Sequence, residues 1–277
     1  MKDGPSTVSE KEKGLTFWEH LEELRGTLWR IIIAFFILSI VSFSFKDFLF
    51  NDILLAPRSK DFITYRIFCQ LGHWLSTPSL CIDPTEFQLI NIQLAGQFTA
   101  HMTLSLVAGL ILVIPYLFWE LWRFIKPGLT ETEVRNSRGA VAVTSFLFIL
   151  GALFSYFIVA PLMINFLGGY RVSPLVSNQI ALTSYVGSIT FLILLMGLFF
   201  ELPVLVLFLT RIGLITPKKI KKYRKHVAIG ILILAGIITP SPDIFSQLLV
   251  AIPIYSLFEL SLLVSAKISA KKKEMAG

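Results

Sequence analysis

Long uncharged apolar runs alternate with short charged segments along the 277 residues, and that alternation predicts the architecture. Runs at 28–45, 94–122, 139–162 and 184–209 come close to or exceed the ~20 residues an α-helix needs to cross a bilayer. Two shorter runs follow, 226–239 and 244–266, separated by the turn Pro240-Ser241-Pro242-Asp243 (240–243). The first has only fourteen residues, so the pair reads as a hairpin of short spans. An interfacial pair or a locally thinned bilayer is the competing reading. The fourth run is interrupted by Glu201 and Pro203. Ahead of the first run the pattern changes. Phe17, Leu21, Leu24 and Leu28 share one helical face, while Glu19 and Glu23 share another at i,i+4, so 17–27 predicts an acidic amphipathic collar. Glu22 reaches Arg25, whereas Glu23 has only Arg30 on its side. Met1–Thr16 is polar and reads as a disordered tail; no leader precedes the first run, which would itself target the chain to the membrane.

Composition gives the class. The chain is 55% hydrophobic and 16% charged, where a soluble domain carries about a quarter charged residues. Its mean hydropathy is +0.73. Residues 1–277 are read as one all-α polytopic membrane domain with six spans. The connecting segments are 46–93, 123–138, 163–183 and 210–225, and a basic tail occupies 267–277.

Charge then sets the topology. Of the 25 Lys and Arg residues, only Lys46, Arg58, Lys60, Arg66 and Arg171 fall in the segments 46–93 and 163–183. The rest lie in the N-terminal segment up to Arg30, in 123–138, in 210–225 and in the tail. Such asymmetry places both termini in the cytoplasm. The net charge of +7 is thus a topology signal, with contact to acidic lipids secondary and no nucleic acid as partner. Cys69 and Cys81 fall outside the cytoplasm, where a single bridge can form; free thiols in a folded loop are the alternative.

Enzymatic signatures are missing: there is no Walker A run, no His-Glu-x-x-His and no Gly-x-Ser-x-Gly. His20, His73, His101 and His226 lie in different segments without metal-ligand spacing, so neither metal nor cofactor is expected. The chemistry rests on acids. Glu22 and Glu23 sit in the collar, Glu131 and Glu133 beyond Pro127-Gly128, and Glu201 inside an apolar run. Surface acids are ordinarily solvated, and Glu120 and Glu259, near span ends, read as interfacial. An acid at mid-membrane costs ~2.5–3.5 kcal/mol, so Glu201 faces a cavity, a partner or a neighbouring span's hydrogen bond. Pro203 frees a carbonyl and kinks the helix beside it.

Four stretches carry more than periodicity. HLEELR (His20–Arg25), FIKPGLTETEVR (Phe124–Arg135), FELPV (Phe200–Val204) and TPSPDIFSQLLVAIPIYSLFEL (Thr239–Leu260) resemble, in order and spacing, the TatC family of twin-arginine protein translocases. The resemblance implies six helices in a concave, glove-like arrangement, the last two short, with both termini cytoplasmic in the cell inner membrane. It implies recognition of Arg-Arg signal peptides on folded cargo. Export would follow with TatA-type and TatB-type single-span subunits in an oligomeric complex, driven by the proton-motive force. Residue by residue, Glu23 and Glu133 match the acids that hold the arginines, with Arg25, Phe124 and Pro127 shaping that site. Glu201 matches the intramembrane residue that meets a partner helix, with Gln247 and Asp243 the polar positions at the external end of the last span and Pro57 a proline of the first external loop.

This chain departs from the family in three places. Gly26-Thr27 follow ELR and Val134 follows Glu133 where basic residues are usual, and the first external loop is longer and holds the cysteine pair. Two rival readings remain. A proton-coupled solute transporter would show inverted repeats, for which Pro115, Pro161, Pro203 and Pro253 offer no matched flanks. An assembly scaffold would bind partner helices without selecting signal peptides.

Overall fold

The computed structural model describes residues 17–74, 76–77, 81, 87–128, 134, 139–173, 175–176, 178–211, 221–238 and 244–274. The expected tail Met1–Thr16, the acids Glu131 and Glu133, most of the basic loop and the turn with Asp243 lie outside them.

Helix α1, Phe17–Ser44, is continuous, so collar and first span are one 28-residue helix. Nothing in 17–44 breaks a helix except Gly26, which costs only about 1 kcal/mol relative to alanine. Helix α2 is Ile63–Trp74, strand β1 Gln88–Ile90 and helix α3 Gly96–Ile125. The third run forms α4 (Ala140–Phe154) and α5 (Ala160–Gly169), joined by a π-helical turn at Ser155–Val159. Strand β2, Gln179–Ala181, leads into α6, Leu182–Phe199, and α7 is Leu202–Arg211. Helices α8 (Arg224–Ile238) and α9 (Ile244–Glu274) complete the chain.

Among the described residues, five helical stretches are long and apolar enough to cross a membrane: Leu21–Ser44, Gly96–Gly128, Ala140–Gly169, Leu182–Thr210 and Gln247–Ala266. The fifth run makes a helix of only 15 residues, about 22 Å at 1.5 Å per residue against a ~30 Å hydrocarbon core. α1 packs along α3; α3 also meets α4 and α6; α9 packs on α7 and α8. Met196, Val186, Ile189, Val250 and Ile254 are fully or almost fully buried and join these helices in one core. The apolar side chains Ile33, Phe36, Ile37 and Ile40 of α1 remain exposed, as lipid-facing positions of a spanning helix would.

The segment 46–93, expected to be a loop, is largely folded. A π-helical turn covers Phe48–Leu54, a 3₁₀ turn Ala56–Arg58, and α2 follows. Irregular backbone survives burial only if its carbonyls find donors. Tyr156 donates to the Ile53 carbonyl at 2.8 Å and Tyr185 to that of Leu54 at 3.1 Å. The Tyr65 hydroxyl lies 3.1 Å from the Pro57 carbonyl and 3.2 Å from that of Pro161. Thr64 donates to the carbonyl of Phe157. The Arg58 guanidinium donates to the Phe87 carbonyl at 2.6 Å and lies 5.1 Å from the centre of its ring. Pro57 is fully buried at the centre of this cap. Strands β1 and β2 pair in parallel, Gln88 with Gln179 through Ile90 with Ala181, and close the cap over the starts of α3 and α6.

Burial pushes the Tyr65 phenol up to about 12. Its ordinary value is ~10, so the folded state holds the proton more tightly than the unfolded one. That contribution is complete below pH ~10 and is lost as pH rises through the folded value near 12. Tyr65→Phe, which strips the donor from two buried carbonyls, is expected to cost ~1–3 kcal/mol. Amide hydrogen exchange across Leu54–Tyr65 should accelerate in this variant, and in the wild type above pH ~10; unchanged protection in both would remove the phenol from the account.

Candidate functional site

α1 and α3 run antiparallel, and three contacts fix their register. Arg30 meets Glu120, Gly109 lies against Ser39, and the His101 ring contacts the Phe43 carbonyl at 3.1 Å and stacks on the Phe43 ring with centroids 3.9 Å apart. In an antiparallel pair each step back along α1 corresponds to a step forward along α3. Glu23 therefore comes level with Pro127. Phe124, half-buried, lies in the last turn of α3, and Pro127, exposed, lies in the 3₁₀ turn Lys126–Gly128. The structure thus gathers Glu23, Arg25, Phe124 and Pro127 at one end of the α1–α3 pair. Glu133, six residues beyond Pro127, lies outside the described residues.

Arg30, the one local cation on the Glu23 face, pairs with Glu120. Arg30 places Nε 3.1 Å and Nη2 2.9 Å from Glu120 Oε2, and Nη2 also donates to Thr27 Oγ1 at 3.0 Å. Tyr116 donates to Glu120 Oε1 at 2.9 Å. Glu120, read from sequence as interfacial, is 1% exposed and has both carboxylate oxygens satisfied. A carboxylate can be buried there because a guanidinium and a phenol replace its water. Glu23 is half-buried, and among the described residues no side chain forms a hydrogen bond or ion pair with it. Glu22 and Arg25 are exposed. The cue for the Arg30–Glu120 pair was present in the sequence: one acid in an otherwise uncharged run, one turn past Tyr116. Its partner, 90 residues away, was not.

A second polar feature sits where the fourth run breaks. α6 stops at Phe199 and α7 starts at Leu202, leaving Phe200 and Glu201 as a turn, with Pro203 in the first turn of α7. The backbone of Glu201 is satisfied: its N–H donates to Leu198 at 3.1 Å and its carbonyl accepts from Leu205 at 3.0 Å. Its Oε1 is buried without a hydrogen-bond partner among the described residues.

The α8–α9 hairpin is tied at both ends. Gln247 donates to the Leu232 carbonyl at 2.8 Å, so its amide serves the hairpin itself. Near the other end Glu259 Oε1 accepts from Arg224 Nε and from the Tyr255 hydroxyl, both at 2.7 Å. Glu259, like Glu120, is held in an ion pair with a tyrosine hydroxyl donating to it. The Glu259 carboxylate keeps the Arg224 guanidinium protonated still more firmly than usual. Cys69 and Cys81 are joined by a disulfide. His73 stands one turn from Cys69 on α2, a spacing the sequence reading passed over.

Fold and site together define a multi-pass helical membrane protein whose charged groups cluster at helix ends and at one break inside a span. The Sec-independent protein translocase protein (TatC) family matches residues 19–253. The TatC of Blattabacterium sp. subsp. Periplaneta americana is 40% identical over 267 residues, covering 96% of this chain and 100% of the relative. That of Aquifex aeolicus is 33% identical over 258 residues, covering 93% and 97%. Two crystal structures of the Twin Arginine Translocase Receptor TatC superpose with TM-scores of 0.63 and 0.67 at 30% and 31% identity. They cover 90% and 89% of this chain and 99% of each of theirs. The chain belongs to the TatC family. It is a membrane component of Sec-independent protein translocation, a transport protein rather than an enzyme.

Proposed function

We propose that this TatC-family chain is the subunit that reads the Arg-Arg pair of export signal peptides and hands folded cargo to single-span partners. The observation that carries the reading is Glu23. It lies level with the Phe124–Pro127 turn, and its one local cation, Arg30, is committed to Glu120. A half-buried carboxylate with no ion-pair partner among the described residues suits an incoming guanidinium, which pairs with it in a planar, bidentate way that an ammonium cannot copy. Glu133, on the segment that leaves the same turn, would take the second arginine. Two charge-assisted contacts at ~1.5–3 kcal/mol each correspond to about 10²–10⁴ in affinity over an uncharged peptide.

In this reading both termini are cytoplasmic, α8 and α9 are the fifth and sixth spans, and the helices form a concave receptor. The complex is oligomeric, containing TatA-type subunits and, where present, TatB-type ones, and works in the inner membrane on the proton-motive force. Glu201, with an oxygen lacking a partner among the described residues, is the contact for a single-span helix.

The test is binding of an Arg-Arg signal peptide and its Lys-Lys counterpart to the purified protein, to Glu23→Gln and to Glu133→Gln. Each variant should bind the Arg-Arg peptide at least about tenfold more weakly, with a smaller preference for arginine over lysine. Equal binding by all three proteins would return Glu23 and Glu133 to ordinary surface acids and leave an assembly scaffold as the better reading.

A further inference from the structure

We propose that Cys69, His73 and Cys81 form a redox-gated zinc site, closed while the cysteines are bridged and opened when the bridge is reduced. Cys69 and His73 are i,i+4 on α2 and share its face. The disulfide brings Cys81 to the same face from twelve residues on. The three donor atoms, two Sγ and one imidazole nitrogen, all lie within 4.8 Å of one another. His73 Nε2 is 3.8 Å from Cys69 Sγ. Two ligands on a tetrahedral zinc, with Zn–S of ~2.3 Å and Zn–N of ~2.0–2.1 Å, stand roughly 3.5–3.8 Å apart. The imidazole thus already sits at the spacing a shared metal would impose. His73 is exposed and the cysteines are half-buried, so a reductant and a cation can reach all three.

The chemistry balances with one co-reactant, a dithiol. The Cys69–Cys81 bond accepts two electrons and two protons and becomes two thiols, while the dithiol becomes a disulfide. Zn²⁺ then displaces both thiol protons and binds two thiolates and the neutral imidazole, leaving a fourth position for water. Two thiolates and an imidazole favour zinc over magnesium or calcium, which take oxygen ligands. The exchange replaces a covalent tie between α2 and the Cys81 segment with a metal tie, so the cap over the bundle stays fastened in either redox state. This inference does not depend on the signal-peptide reading.

The experiment uses the full chain in detergent micelles, as an oxidised sample and as one reduced with a phosphine and desalted without oxygen. Zinc is titrated against a chromophoric chelator. The reduced protein should take up one zinc per chain, at least about a hundredfold more tightly than the oxidised protein. His73→Asn should weaken uptake about tenfold or more. Bound zinc should also slow alkylation of the two thiols. The oxidised and reduced wild-type samples already make the comparison without any variant, and far-UV circular dichroism follows the fold in each. Zinc uptake by the reduced chain no tighter than by the oxidised one would overturn the proposal. So would affinity unchanged in His73→Asn, or a reduced chain that loses helicity and does not regain it with zinc.

Discussion

Gly109→Val is expected to unseat α1 from α3 and lower the thermal midpoint of the detergent-solubilised protein by about 5–10 °C. A Cβ at Gly109 would lie 2.7 Å from both the Cα and the backbone nitrogen of Ser39, closer than such atoms approach in folded proteins. Backbone cannot swing aside as a flexible side chain can, so the helices themselves must separate. Close approach over small residues is how spanning helices gain packing energy, since lipid tails offer no hydrophobic drive for association. Overpacking costs ~1–3 kcal/mol, and the rigid neighbour here puts the effect at the upper end. At ~2–4 °C per kcal/mol for a chain of this size, the expected shift follows. Separation would also stretch Arg30 away from Glu120, so the same variant should weaken signal-peptide binding without touching the peptide. Gly109→Ala should fall between the two. A thermal midpoint within about 1 °C of the wild type would mean that the α1–α3 seam does not carry the stability assigned to it.

Glu201→Ala is expected to cut export at least about tenfold while changing signal-peptide affinity less than about twofold. The residue occupies the turn between α6 and α7, and its backbone bonds would survive the substitution. What disappears is a carboxylate whose Oε1 has no partner among the described residues. Native structures rarely leave such a group unpaired without a functional reason. Leaving a buried polar group without its partner costs ~1–3 kcal/mol, enough for the tenfold loss once a partner helix is meant to supply the other half. Glu201→Gln should retain part of the activity. Reconstituted membrane vesicles with the single-span partners measure export, and the isolated protein measures binding. Full export by the alanine variant would reduce Glu201 to a helix break. Loss of both export and binding would point instead to collapse of the α6–α7 turn.

The spans were legible because their signal is local: each is a run of apolar residues that needs no partner to be recognised. The break at Glu201 and Pro203 was legible for the same reason, since an acid and a proline announce themselves in an apolar run. The folded cap was not. Its segment looks polar and proline-rich, and what orders it is a set of hydroxyls arriving from Tyr156 and Tyr185, up to 131 residues away. A pattern read residue by residue has no means of pairing them. The Arg30–Glu120 tie escaped similarly. Local spacing showed only that Arg30 was the one cation on the Glu23 face, and its partner, the buried Glu120, lies 90 residues away. Glu23 and Glu133 were singled out through family motifs, and Glu133 lies outside the described residues. The structure adds the register that sets Glu23 level with Pro127, and the ion pair that joins Arg30 to Glu120.

The parallel pairing of β1 with β2 imposes an order on biosynthesis. Gln88 finds its partner only when Gln179 has been made; β2 leads directly into α6, and β1 stands shortly before α3. At ~5–20 residues per second the ribosome needs roughly 5–20 s to span that gap. Through that interval α1, α3 and α4 can already lie in the bilayer, while the segment above them has neither its strand partner nor the Tyr185 hydroxyl. The fold is therefore completed from its late half backwards, and a nascent chain stopped before Ala181 would carry inserted helices under an open, protease-sensitive roof.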